Sequence, residues 1–158
     1  MITIGIDPGI GGAVGFLRNG NFINVEDMPV MKKGSGTVKF EVDPSGLKRV
    51  IYHTVLPTDR PIVFLERVAA MPGQGVASMF SLGDSFGCAR SVVGASGLTL
   101  VCETPQVWKK HFGLGKDKEE CRAFAIRLFP DAPLHLKKYV DRAEALLMAR
   151  YLWETRCN

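Results

Sequence analysis

The sequence predicts an α/β fold in which a three-stranded antiparallel meander is followed by alternating helices and strands. Three observations carry this. Ile2, Ile4 and Ile6 alternate with Thr3, Gly5 and Asp7 in the opening stretch, the period of a strand. Asn19-Gly20, the strongest short hairpin signal, lies between two further apolar stretches. Ile62-Val63-Phe64-Leu65 is a continuous apolar run, as in a strand buried on both faces, and segments of helical spacing flank it.

The elements follow in order. Residues 12–17 read as the second strand and 22–28 as the third. Pro29 to Thr37, with Lys32 and Lys33, is a polar, glycine-bearing stretch expected to be a mobile loop. Asp43-Pro44 is an N-cap with proline at the first helical position, and Leu47, Val50, Ile51 and Val55 recur at helical spacing. Pro57 and Pro61 bracket the exit into the fourth strand, which ends in Glu66. After a loop over 67–75, a long helix is predicted from Val76 to Val93. Met79, Gly83, Gly87 and Ser91 fall four apart on it, a small-residue face for close approach either to the chain's own sheet or to a second subunit.

Leu98 to Cys102 reads as the fifth strand. Thr104-Pro105 opens a short helix carrying Val107, Trp108, His111 and Phe112, and Gly113 stops it. Gly115-Lys116-Asp117-Lys118 is a basic loop. Asp117 with Glu120 forms a capping-box-like start to the next helix, whose apolar face is Cys121, Phe124, Ala125 and Leu128 and which Pro130 ends. The final helix runs from about Asp141 to Glu154.

At 158 residues the chain suits a single domain over 1–158 with one proper core. No apolar run reaches the ~18 residues of a membrane span, and Met1 leads directly into a strand rather than into a leader. A cytoplasmic protein with reduced thiols is expected. Cys88, Cys102, Cys121 and Cys157 are scattered without a C-x-x-C pair, which disfavours zinc. The net charge of +4 suits a polyanionic partner.

Chemistry points to the acids. Asp7 and Glu66 each end an apolar strand run, and Asp141 and Glu144 are three apart, hence neighbours on one helix face. Asp7 and the helix pair have ordinary explanations: Asp7 capping its own glycine-rich turn, and the pair favoured by the helix dipole. If the first and fourth strands are parallel neighbours, however, Asp7 and Glu66 lie side by side, and a helix start carrying Asp141 and Glu144 could complete a cluster. Four carboxylates in one small space need a counter-charge, and hard oxygen donors suit Mg2+ or Mn2+. Two ions roughly 3.5–4 Å apart would serve in-line displacement at a phosphodiester, one activating a water and one stabilising the leaving 3′ oxygen.

The ordered set Ile4-Gly5-Ile6-Asp7-Pro8-Gly9, Val63-Phe64-Leu65-Glu66 and Asp141-Arg142-Ala143-Glu144-Ala145 resembles the RuvC-type Holliday-junction resolvases of the ribonuclease H-like superfamily. The stretch from Met71 to Phe80 resembles the phage-type members. The resemblance implies a five-stranded mixed sheet, three antiparallel strands then two parallel, flanked by helices. It implies that Asp7, Glu66, Asp141 and Glu144 are the metal-binding catalytic acids. The last acid is often Asp in this family, and Glu144 reaches one methylene further. It also implies a homodimer acting on four-way branched DNA, with no small-molecule cofactor and no membrane partner. Candidate phosphate contacts are Lys109, Lys110, Lys116, Lys118, Arg67 and Arg142, with Lys137 and Lys138 behind them. Met71 or Phe80 falls where the family places a wedge at the junction centre, although Phe80 also reads as a core or dimer contact. His111 reads as a packing residue.

Three rivals stand beside this. One is a RuvC-like nuclease for other branched or single-stranded nucleic acid. The second is an actin-like or sugar-kinase ATPase, which needs two such domains and for which the chain is too short. The third is a non-catalytic DNA-binding module, in which an acidic cluster without metal would repel phosphate.

Overall fold

The computed structural model describes residues 1–34, 39–56, 58–70 and 72–157. Pro57, Met71 and residues 35–37 of the expected loop lie outside the described residues. The elements are β1 (Ile2–Ile6), β2 (Ala13–Arg18), β3 (Asn21–Asp27), β4 (Val30–Lys32), β5 (Phe40–Val42), α1 (Pro44–Thr54), β6 (Ile62–Glu66), α2 (Val76–Ala95), β7 (Thr99–Glu103), α3 (Pro105–His111), α4 (Lys118–Leu128) and α5 (Val140–Arg156). A 3-10 turn over Lys137–Tyr139 precedes α5. One sheet has the order β3-β2-β1-β6-β7. The pairs β1–β2 and β2–β3 are antiparallel; β1–β6 and β6–β7 are parallel. This is the expected mixed sheet.

The local signals explain most elements. Asn19 and Gly20 both adopt positive φ, 50° and 76°, as a tight hairpin between right-twisted strands requires. Asp43 accepts from the Ser45 N–H, and Asp117 from the Glu119 N–H. The capping box at Asp117 is not closed, because Glu120 turns instead to the Gly115 N–H at 3.2 Å. All four cysteines are free.

Two departures matter. The stretch read as a loop after the meander includes β4, which pairs with β5 in a two-stranded ribbon. Each strand is only three residues long, too short to show an alternation. On α2, the buried face is Ser85, Ala89 and Val93, not the glycine stripe. Among the described residues, a Cβ added at Gly83 or Gly87 would meet nothing within 4 Å, so these glycines do not serve close approach to the chain's own sheet. Phe80 is 70% exposed and is not a core residue.

Two apolar layers enclose the sheet. Ile2, Ile4, Ile6, Val63 and Leu65 pack with Leu47, Ile51, Ala89 and Val93 of α1 and α2. Phe64 packs on the other face with Trp108 of α3, Cys121 and Ala125 of α4, and Ala145 to Ala149 of α5. Gly5 and Gly15 are register partners across β1 and β2. A Cβ at Gly5 would lie 2.0 Å from the Ala145 carbonyl oxygen, and one at Gly15 would lie 2.8 Å from the Leu146 N. The two glycines form a flat patch on which the α5 backbone rests directly.

Candidate metal centre

Asp7 continues the parity of Thr3 and Gly5, so it emerges beyond β1 on the α5 side of the sheet. Its backbone N–H donates to the Ala13 carbonyl at 3.0 Å, closing the turn into β2. Gly12 lets the chain pass close by: a Cβ there would meet the Asp7 carbonyl oxygen at 2.2 Å. The Gly9 N–H donates to Asp7 Oδ1 at 3.3 Å. The turn-capping reading of Asp7 therefore holds, yet it leaves the second oxygen without a hydrogen bond among the described residues.

The parallel register sets Ile6 beside Leu65, which brings Glu66 next to Asp7 at the ends of adjacent strands. Seating α5 on Gly5 and Gly15 lowers its first turns onto the same point. Asp7, Asp141 and Glu144 each offer a carboxylate oxygen, and those oxygens all lie within 4.8 Å of one another. Glu144 is buried, while Asp7 and Asp141 are partly so. Glu66 lies beside this trio rather than within it, its Oε1 accepting from Trp108 Nε1 at 3.0 Å.

Crowding shows in the acid–base chemistry. Burial, then the charges of Glu66 and Asp141, push the Asp7 carboxyl up to about 7, against smaller opposing pulls from the Gly9 N–H and Lys118. Glu66 is also raised, chiefly by burial, with the Trp108 hydrogen bond pulling the other way. Two ammonium groups partly neutralise the cluster. Lys109 Nζ donates to Glu144 at 2.6 Å, and Lys118 Nζ donates to Asp141 at 2.6 Å and lies 3.5 Å from Glu144. Burial works to lower both lysines, but these carboxylates hold each above its usual range. An all-oxygen donor set that converges, with burial and mutual repulsion holding Asp7 above its usual range, fits a hard divalent cation such as Mg2+ or Mn2+.

The six basic candidates divide into three groups. Arg67, Lys110 and Lys116 are exposed and make no ion pair among the described residues. Lys109 and Lys118 point into the acids. Arg142 is a strut: it donates to both oxygens of Asp27 at the end of β3 and stacks on Tyr139 at 4.1 Å. His111 packs edge-on against Phe112 and Tyr151 and pairs with Glu154 at 2.7 Å, far along α5 from the acids. In the sequence Trp108 reads only as one of the residues carried by the short helix. Its role beside Glu66 was signalled by one rule: a buried indole N–H needs an acceptor. Glu103, opposite Glu66 in the β6–β7 register, belongs elsewhere and lies 3.6 Å from Arg156.

No protein-family model matches the chain, and no curated protein matches it in sequence. Solved structures do. The Thermus thermophilus RuvC structure superimposes with a TM-score of 0.57 at 18% identity, covering 98% of this chain and 96% of that one. T. thermophilus RuvC in complex with a Holliday junction substrate superimposes with a TM-score of 0.65 at 16% identity, covering 99% and 96%. From the first strand to the last helix, the chain has the ribonuclease H-like fold of RuvC.

Proposed function

We propose that the chain is a single-domain, structure-selective endonuclease that resolves four-way DNA junctions by metal-dependent hydrolysis of paired phosphodiesters, acting as a homodimer in the cytoplasm. The observation that carries this is the convergence of Asp7, Asp141 and Glu144, with Glu66 beside them, on a fold shared along its length with a RuvC captured on a Holliday junction. Among the described residues no helix is long and apolar enough to cross a membrane.

The four acids would hold Mg2+ or Mn2+. When bound, the metal supplies the positive charge that favours ionisation of an attacking water and departure of the 3′ oxygen. The chain's own contributions are separable. Asp7 gives one oxygen to its turn and so presents the other in a fixed direction. Lys109 and Lys118 offset the mutual repulsion of the acids. Arg67, Lys110 and Lys116 are free to meet phosphates on either side of the scissile one.

The test is labelled four-way junction against matched linear duplex, each with and without Mg2+. Paired nicks in the junction alone, dependent on metal, are the expected result. Equal cutting of linear duplex removes junction selectivity, and no cutting of either removes the nuclease reading.

The exposed lysines and the exposed face of α2 can each be tested. Replacing Lys110 and Lys116 together by Ala weakens junction binding and flattens its log–log salt dependence by ~0.9 for each phosphate that these lysines neutralise. An unchanged slope would assign both to solvated surface. On α2, Val76 and Phe80, 80% and 70% exposed, flank the open glycine stripe, which makes this helix the candidate dimer face. Because no described residue stands within 4 Å of a Cβ at Gly87, Gly87→Leu leaves the subunit folded while blocking association. Solution mass then falls to that of one chain, and singly nicked junction accumulates over resolved product. A wild-type protein that stays monomeric on junction DNA and still makes both nicks in one binding event rules the dimer out.

A further inference from the structure

We propose that Trp108 is a positioning residue for the metal site: its indole N–H occupies one oxygen of Glu66, leaving that carboxylate a single free oxygen to offer the cluster. This rests on the reading of the acids as a metal centre.

Trp108 is fully buried and is the largest such side chain in the protein. A buried indole N–H must find an acceptor, and a core carbonyl would suffice. Here it goes instead to Oε1 of an acidic side chain at the end of β6, at 3.0 Å. The consequence is geometric. Glu66 ends the strand beside Asp7 and its charge is felt there, yet its oxygens stand outside the 4.8 Å gathering of the other three acids. One oxygen is tethered toward α3, so the carboxylate cannot swing as a whole into the trio.

The type of donor matters as much as its position. An indole donates a hydrogen bond but carries no charge. It orients Glu66 without cancelling the negative charge that a cation requires, as an ammonium would. The next residue, Lys109, does the opposite task on a different acid, delivering a positive charge to Glu144 at 2.6 Å. Its Nζ also lies 5.0 Å from the centre of the Trp108 ring, so the two side chains brace each other. One short helix thus orients one acid and neutralises another.

The test reads metal binding without DNA or turnover, as the rise in melting temperature with Mn2+ concentration, in wild type, Trp108→Phe, Glu66→Gln and the double variant. Phenylalanine keeps the aromatic bulk and removes the donor. Trp108→Phe is expected to weaken Mn2+ binding about 10-fold or more in the wild-type background, and not at all once Glu66 is already Gln. Equal losses in both backgrounds would make Trp108 an ordinary packing residue and overturn the proposal, as would wild-type affinity in Trp108→Phe. If wild type and all variants ignore Mn2+ alike, the metal-centre reading itself falls, a result distinct from either. Should Trp108→Phe fail to fold, Trp153→Phe leaves Trp108 as the sole tryptophan of the two in the chain. Its indole N–H resonance should be protected from exchange and should move on adding Mg2+ and on Glu66→Gln. A resonance indifferent to both overturns the proposal.

Discussion

Asp7→Asn is expected to lower Mg2+-dependent nicking of a four-way junction by about 10^3-fold or more, roughly 4 kcal/mol of transition-state stabilisation, while junction affinity stays within ~3-fold of wild type. Asparagine keeps the shape, and its amide oxygen can still accept from the Gly9 N–H, so the turn survives. What disappears is the charge at the centre of the cluster. The same substitution should stabilise the metal-free fold. Burial and two neighbouring acids raise the Asp7 carboxyl to about 7, so between its ordinary value of 3.8 and 7 the folded chain keeps a proton that the unfolded chain has released. Stability of the metal-free wild type therefore falls as pH rises through that window and levels off above it. Asp7→Asn removes this slope. Its advantage should be near zero at pH 4 and on the order of 2–4 kcal/mol at pH 8. Urea melts at the two pH values, with and without Mg2+, measure both effects. Wild-type nicking by the variant would remove Asp7 from the site.

Much of this was legible in the sequence because it is local. The alternation of Ile2, Ile4 and Ile6 named the buried face, and its parity sent Asp7 to the opposite side, where α5 lies. Asn19-Gly20 placed the first hairpin, and all the main strands and the longer helices fall within two residues of their predicted limits. The acids could be paired because strand ends and helix starts are themselves readable. What was not legible is contact across long separations. Lys118 lies 23 residues from Asp141 in the chain and Lys109 lies 35 from Glu144. A lysine's composition does not say whether it will meet phosphate or carboxylate; its flexible stem goes to whichever charge the fold brings near. Arg142 likewise read as a phosphate contact, yet its partner Asp27 is 115 residues away. The seat of α5 was hidden for the same reason. Gly5 and Gly15 look like ordinary strand glycines until the α5 backbone is laid on them.

That seat yields the second large effect. Gly5→Ala is expected to destabilise the protein by ~3 kcal/mol or more, at the upper end of what overpacking costs. The added Cβ would lie 2.0 Å from the Ala145 carbonyl oxygen and 2.7 Å from the Ala149 N, both backbone atoms that no rotamer change can move. Relief requires α5 to lift from the sheet. Truncating Ala145 to Gly should not rescue the variant, since the clash is with a carbonyl oxygen rather than a methyl group. For a chain of this size the melting temperature should fall by roughly 6–12 °C. The lift also displaces Asp141 and Glu144, which ride on the first turns of α5, from Asp7. A misplacement of about 1 Å is enough to cost ~10^2-fold in rate, so the folded fraction of Gly5→Ala should bind Mn2+ weakly and nick slowly. Gly94→Ala provides the contrast. It adds the same methyl group near the end of α2, off the glycine stripe, where no described residue lies within 4 Å, and should leave the melting temperature unchanged or raise it slightly through helix propensity. Melting curves with increasing Mn2+ for both variants decide the matter. If Gly5→Ala melts within ~2 °C of wild type and responds normally to the metal, α5 does not rest on Gly5, and the convergence of the acids must have another origin.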